Sequence, residues 1–332
     1  MKLIDKHSRV HNYLRLSVTD RCNLNCIYCN PNNSFKYNST NSELLTFEEI
    51  ERIVKIFVNN FEFKKIRLTG GEPFARKDID ILIQMLGDLK EHKKFELSAT
   101  TNGTLLNGRI KSLINSGLDR LNFSLDSLKK ETFENITGFN KVDKTINALQ
   151  SAKEAGLKNI KINTVVMKGI NDSEILDFVD FVKNEDMTVR FIEYMPFSNN
   201  HYNADNFISM SEIIEIINSK YILIEIVDKN SSVSKDFRID EYKGKISVIS
   251  SISDHFCNDC NRLRITSSGK LRLCLFSPND DTLDLKKMIK NGNTDNEIAE
   301  TIINSINYKQ ESHASIKELL VLENNNMISI GG

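Results

Sequence analysis

From residue 14 to about residue 195 the chain alternates between short runs of strand character and longer runs of helical character, the pattern of a parallel sheet with crossover helices. The strand-like runs are LRLSVT at 14–19, KIRLT at 65–69, FELSAT at 95–100, RLNFSL at 120–125, NIKINTVV at 159–166 and VRFIEYM at 189–195. The helical runs carry their own punctuation. Thr46 with Glu49 forms a capping box ahead of IERIVKIFV, Gly117 and Gly156 stand where helix C-caps belong, and Ser173 precedes the periodic ILDFVDFV. Six strands joined by five crossovers predict an α/β fold over residues 1–196, a partial (β/α)6 barrel that is incomplete beside the TIM arrangement. After Pro196 come a polar stretch, a helix-like MSEIIEIINSKY and short strand-like pieces at ILIEIV and KISVIS, so a smaller C-terminal α+β module is expected over residues 197–332. Asn-rich pieces at 30–41 and 324–326 read as solvated segments.

In such a barrel the loops after the strands' C-terminal ends share one mouth, where the chemistry sits. The unusual residues of this chain collect there: TDRCNLNCIYCNP follows the first strand, GGEP the second, TNG the third and Asp126 the fourth. Composition adds mainly exclusions. With 44 Lys plus Arg against 45 Asp plus Glu, the net charge of −1 points to neither nucleic acid nor a membrane surface as an obligatory partner. No apolar run has the length of a signal peptide or a membrane span, and a cytoplasmic location is expected.

The six cysteines fall in two tight groups, Cys22, Cys26, Cys29 and Cys257, Cys260, Cys274, which suits metal ligation better than a disulfide framework. In CNLNCIYC the spacing CxxxCxxC lets one loop wrap a centre. Three thiolates on a four-iron cube leave one iron open for a non-protein ligand, whereas tetrahedral zinc needs a fourth partner, for which His11 or His92 would have to serve. In the second group, CxxC is followed after thirteen residues by Cys274, again three thiolates; His255 is the nearest candidate fourth ligand and reads equally as an ordinary loop histidine. An auxiliary cluster with a free iron that binds substrate fits this spacing.

Cations lie beside these groups. In an extended segment Arg262 and Arg264 project to one face, either as a phosphate clamp or as a solvated basic strand. Arg15, Lys65, Arg67 and Lys161 sit on barrel strands, and at least two of them are expected to point inward, where a charge requires a partner or an anionic ligand. Such a lining suits a nucleoside triphosphate. No P-loop GxxxxGK[ST] is present, so an ordinary NTPase is not expected.

CxxxCxxC with Tyr28 before its last cysteine, followed by Gly70-Gly71-Glu72-Pro73, resembles the radical S-adenosylmethionine superfamily. With the second cysteine group, TTNG, the arginine pair and the terminal Gly331-Gly332, the whole chain resembles the GTP 3′,8-cyclase family of molybdenum cofactor (molybdopterin) biosynthesis, a family of lyases. The resemblance implies a radical-SAM barrel in which Cys22, Cys26 and Cys29 hold a [4Fe–4S] cluster while Tyr28, Gly71, Ser124 and Met195 contact S-adenosyl-L-methionine. It implies a second [4Fe–4S] cluster on Cys257, Cys260 and Cys274, whose free iron binds the guanine of GTP. Arg15, Arg67, Thr100, Lys161 and the stretch Arg262, Leu263, Arg264 would grip the nucleotide, with Lys65 and Asn163 as further candidates, and Gly331 and Gly332 would thread into the active site. A radical would take hydrogen from ribose C3′, and that carbon would add to guanine C8.

The implied partners are GTP, a low-potential electron donor and, as the next enzyme rather than a contact, a cyclic pyranopterin monophosphate synthase; a homodimer is one assembly the resemblance allows. One departure is Asn30-Pro31, where the family pattern has Met-Pro. Bland readings stand beside each contact: Met195 as core, Tyr28 as a packing aromatic, Ser124 and Thr100 as strand hydroxyls, the terminal glycines as a frayed tail. The rival functions are a peptide-modifying radical enzyme with an auxiliary cluster and a non-enzymatic electron-transfer protein.

Overall fold

The computed structural model describes residues 1–31, 43–197, 200–227, 233–277, 283–321 and 327–331. The Asn-rich pieces at 32–41 and 324–326, together with Gly332, lie outside the described residues. Strands β1 (Leu3–Ile4) and β2 (Val10–His11) form a small antiparallel ribbon. Six parallel neighbours follow: β3 (Tyr13–Ser17), β4 (Lys65–Thr69), β5 (Glu96–Thr101), β6 (Arg120–Ser124), β7 (Ile160–Val166) and β8 (Met187–Glu193). The expected strands are therefore all present, with ends displaced by at most two residues. The largest displacement puts Tyr194 and Met195 beyond the end of β8.

The later strands β9 (Ile224–Ile226), β10 (Lys235–Arg238), β11 (Lys245–Ile249), β12 (Arg262–Ile265), β13 (Lys270–Arg272) and β14 (Leu283–Asp284) join the same sheet. β11 runs parallel to β8 and carries β10 and β9 beyond it; β12 runs parallel to β3 and carries β13 and β14. The result is one open sheet of twelve strands, a partial barrel flanked on both edges by the C-terminal chain.

Side-chain alternation explains what this sheet encloses. Leu14, Leu16, Ile66, Leu68, Leu97, Ala99, Leu121, Phe123, Ile162, Val189 and Phe191 are completely buried on its outer face. They meet the crossover helices α1 (Phe47–Asn60), α2 (Ile79–Leu89), α3 (Ile110–Asn115), α4 (Lys130–Thr137), α5 (Val142–Glu154) and α6 (Ile175–Phe181). Each such side chain gains roughly 1.5–3 kcal/mol by leaving water, so the helix–sheet layer supplies the cohesion and leaves the inner face free to be polar.

The capping box is formed as expected, with Thr46 Oγ1 accepting from the Glu49 N–H and the Glu49 carboxylate accepting from the Thr46 N–H. Gly117 and Gly156 follow the C-caps of α3 and α5 with positive φ. Ser173 does not cap α6. It lies within a 3-10 turn, Asp172–Glu174, that leads directly into the helix. Beyond the barrel come α7 (Met210–Asn218), α8 (Leu285–Lys290), α9 (Asp295–Ile306), α10 (Ile316–Val321) and α11 (Met327–Ile330). No helix among the described residues is long and apolar enough to cross a membrane.

Candidate functional site

The first cysteine loop is tied to the ends of the first four barrel strands. Gly71 N–H donates to Thr19 O and Glu72 N–H to Arg21 O, at 2.9 and 2.8 Å. A Cβ on Gly71 would lie 2.4 Å from Arg21 O, so glycine here is required by the approach of the two backbones. Glu72 is buried and accepts from Asn102 N–H, Thr101 Oγ1 and Phe74 N–H. Burial outweighs those bonds and pushes its carboxyl up to about 7. Asn102 Nδ2 then donates to Asn23 Oδ1 within the cysteine loop. On the other side the Tyr28 hydroxyl donates to Asp126 Oδ2 at 2.8 Å, and burial holds that carboxyl up at about 6.

Within this frame the Cys22 thiol is pushed up to about 12, by burial and then by Glu72, and Cys26 and Cys29 are pushed up by burial, by Asp126 and by their thiol neighbours. Three half-buried cysteines beside carboxylates can ionise together only with a compensating positive centre, which the irons of a cluster would provide. A zinc loop fits less well. His11 is fully buried against Asp5 Oδ2 at 3.1 Å, His92 is exposed beyond α2, and no three described His, Cys, Asp or Glu side chains converge on a point for one metal ion.

The inner face of the sheet surrounds a cavity of about 370 Å³. Arg15, Lys65, Arg67, Arg120, Lys161, Arg190, Arg262 and Arg264 line it, against the two carboxylates Glu96 and Asp236. Register makes the crowding plain, since Arg264 is level with Arg15, Arg15 with Arg67, Arg67 with Ser98 and Ser98 with Arg120. Glu96 pairs with Arg120 at 3.0 Å, and Asp236 accepts from Ser234 and Ser247. Burial, then repulsion from Arg190, pulls Lys161 down to about 7; burial, then the charges of Arg67, Arg262 and Arg190, pulls Arg15 down to about 9. Among the described residues the lining carries more cations than carboxylates, and a bound polyanion would balance the difference.

All four barrel cations singled out in the sequence thus reach the cavity, as do Arg262, Arg264, Asn163 and Met195. Asn163 Oδ1 is buried without a partner among the described residues, and so is Thr100 Oγ1, although Thr100 is not part of the lining. Ser124 is half-buried at the end of β6. Leu263 points the other way: its side chain is fully buried in the hydrophobic core, so only its backbone is available to a ligand.

The second cysteine group opens on the same cavity. Against the cost of burial, the charges of Arg262 and Lys309 bring Cys260 down to about 6. His255 also lines the cavity, edge-on to the His313 ring at 5.2 Å. A small apolar cluster of Phe197, Phe276, Leu319 and Met327 packs against Cys29, Met195 and Cys274, so the two cysteine groups share one wall.

The C-terminal tail enters this space, with Gly331 O accepting from Arg264 Nη1 at 2.8 Å inside the protein. Gly331 has φ +80°, and a Cβ there would be 2.4 Å from Thr69 Oγ1. Arg120, Arg190, Asn122, Arg9 and Lys309 were not anticipated. For Arg190 the signal was available in the alternation of VRFIEYM; for Arg9 and Lys309 the sequence carries none, because their partners are remote.

The chain matches the Radical SAM superfamily over residues 16–182 and the Molybdenum Cofactor Synthesis C family over residues 187–315. It is 43% identical over 308 residues to the GTP 3′,8-cyclase of Thermodesulfovibrio yellowstonii, covering 92% of this chain and 94% of that one. It is 39% identical to molybdenum cofactor biosynthesis protein 1 of Dictyostelium discoideum, over 99% of this chain but only 52%, about half, of that longer protein. In three dimensions it resembles Streptococcus suis SuiB bound to S-adenosylmethionine, with TM-score 0.61 and 16% identity over 94% of this chain and 75% of that one, a likeness of fold.

Proposed function

Because this chain belongs to the GTP 3′,8-cyclase family of the radical S-adenosylmethionine superfamily, we propose that it is a lyase that converts GTP to (8S)-3′,8-cyclo-7,8-dihydroguanosine 5′-triphosphate, an early step of molybdenum cofactor biosynthesis. The observation that carries this reading is the cavity, where among the described residues eight Lys and Arg side chains meet two carboxylates beside the second cysteine group. A nucleoside triphosphate brings the missing negative charge, and planar guanidinium forks match its phosphate oxygens.

When bound, the first [4Fe–4S] cluster and S-adenosyl-L-methionine supply the 5′-deoxyadenosyl radical that takes hydrogen from ribose C3′, whose carbon then adds to guanine C8. Cys22, Cys26 and Cys29 would hold that cluster. Tyr28, oriented by Asp126, would border the cofactor with Gly71, Ser124 and Met195. Cys257, Cys260 and Cys274 would hold the second cluster and so fix the guanine end of the substrate, while Arg15, Arg67, Lys161, Arg262 and Arg264, with Lys65 and Asn163, hold the polyphosphate end. Two fixed ends position the ribose between them, and orientation of this kind accounts for much of an enzyme's rate. Gly331, donated to by Arg264, closes the tail over the cavity. In this division residues 1–196 generate the radical and bring the barrel-strand cations to the nucleotide, while residues 197–332 bring the second cysteine group, Arg262 and Arg264 to it. The electron comes from a low-potential donor, and a cyclic pyranopterin monophosphate synthase consumes the product.

The test is anaerobic turnover of the reconstituted, reduced chain with S-adenosylmethionine and GTP. Formation of 5′-deoxyadenosine together with a cyclised nucleotide is expected. Deoxyadenosine without loss of GTP would point to another substrate, such as a peptide, and the absence of both would leave an electron-transfer protein.

A further inference from the structure

The segment following α9 is buried against the second cysteine group, although no motif marks it. Lys309 is 3% exposed, and among the described residues no carboxylate pairs with it. Its Nζ lies 3.6 Å from Cys260 Sγ and donates to Arg262 O at 2.8 Å. Arg9 acts nearby as well, its Nη1 donating to Cys257 O at 2.9 Å. Arg9 also donates to Gln310 O and Glu311 O at 2.7 and 2.8 Å and pairs with buried Asp5 at 2.6 Å. A buried ammonium is costly without a negative partner, and the nearest negative group open to Lys309 is a thiolate sulfur.

We infer that Lys309 is a positioning residue of the auxiliary centre, donating to the Cys260 sulfur and setting the reduction potential of the cluster bound there, while Arg9 clamps the segment that carries it. The inference rests on the proposed auxiliary cluster. Hydrogen bonds to cluster sulfurs and net charge near a cluster tune its potential. A fixed cation favours the state with the extra electron, so Lys309 shifts the auxiliary potential upward. Because the same Nζ holds Arg262 O, it also fixes one phosphate-matching guanidinium relative to one ligand of the cluster.

The test is an anaerobic potentiometric titration of the full holoprotein by electron paramagnetic resonance, following the reduced-cluster signal that S-adenosylmethionine leaves unchanged. Lys309→Met should move that midpoint to more negative potential and leave the other cluster's midpoint in place, and Lys309→Arg should restore most of the shift. An unmoved midpoint in Lys309→Met with iron for both clusters overturns the inference. If Lys309→Met fails to fold or to load, the wild type decides: with ¹⁵N-lysine incorporated, electron–nuclear double resonance should show a nitrogen coupled to the auxiliary cluster, and no coupling overturns the inference. Wild-type iron sufficient for one cluster only would overturn the auxiliary-cluster reading together with this one. Iron for two clusters with no effect of Lys309 overturns this inference alone.

Discussion

At Gly331 a single missing methyl group decides where the tail can go. The residue adopts φ +80°, where an L side chain costs about 1–2 kcal/mol, and an added Cβ would lie 2.4 Å from Thr69 Oγ1 and 3.2 Å from Ser17 Cβ. Both neighbours belong to barrel strands, and Thr69 is buried, so relief must come from the tail. Gly331→Ala is expected to withdraw the tail and break the contact from Arg264, lowering cyclisation about tenfold or more with little effect on thermal stability. Turnover compared with 5′-deoxyadenosine release measures this, and a wild-type cyclisation rate would show that the Arg264 contact is dispensable. The sequence marked the terminal glycines and Arg264 separately; their meeting depends on a fold that brings residues 67 positions apart together. Lys309 illustrates the opposite case, a lone lysine in NYKQ whose partner Cys260 is 49 residues away.

At the scale of elements, Gly87 tests whether helix packing or helix propensity governs the outer layer. It lies inside α2, where Ala would ordinarily be favoured by about 0.8–1 kcal/mol. A Cβ there would come within 2.1 Å of Ser116 O and 3.3 Å of Gly117 Cα, both backbone atoms at the end of α3. Backbone cannot rotate aside, so Gly87→Ala must push the two helices apart and is expected to destabilise by about 1–3 kcal/mol, the usual cost of overpacking. Denaturant unfolding measures it, and a stabilised variant would mean that the helices separate without cost. The elements themselves were legible, because strand runs and capping signals are local: KIRLT matches β4 residue for residue, and Thr46 with Glu49 caps α1. Ser173 does precede α6, but within a 3-10 turn, and the helix has Glu174 at its N-cap without a side-chain cap bond. That β12 pairs with β3 and β11 with β8 could not be read, since pairing between remote strands leaves no local pattern.

For the whole molecule, a net charge of −1 hides a segregated distribution, with eight cations among the described residues gathered around one cavity. The empty protein therefore carries like-charge repulsion in its centre, and a polyphosphate that relieves it should stabilise the fold even without clusters. At a concentration of 100 times Kd the gain is about 2.7 kcal/mol, a rise of several degrees in Tm. Lys161 gives this effect a pH dependence. Its ammonium is pulled down to about 7 from the ordinary 10.5, by burial and then by Arg190, so between those values the unfolded chain binds a proton that the empty folded chain lacks. This group therefore makes the empty protein more stable as pH rises through that window. A bound polyphosphate favours the charged lysine, so above about pH 7 binding must take up a proton. Inorganic tripolyphosphate is accordingly expected to raise Tm more at about pH 6.5 than at about pH 8.5, and calorimetry at the higher pH in buffers of different ionisation enthalpy should show proton uptake. Lys161→Met should abolish the uptake while keeping part of the stabilisation through the arginines. Sodium chloride at matched ionic strength controls for screening. An equal shift at both pH values, without proton uptake, would remove Lys161 from the phosphate site, and no shift at either would show that the cationic cavity is not built for a polyphosphate.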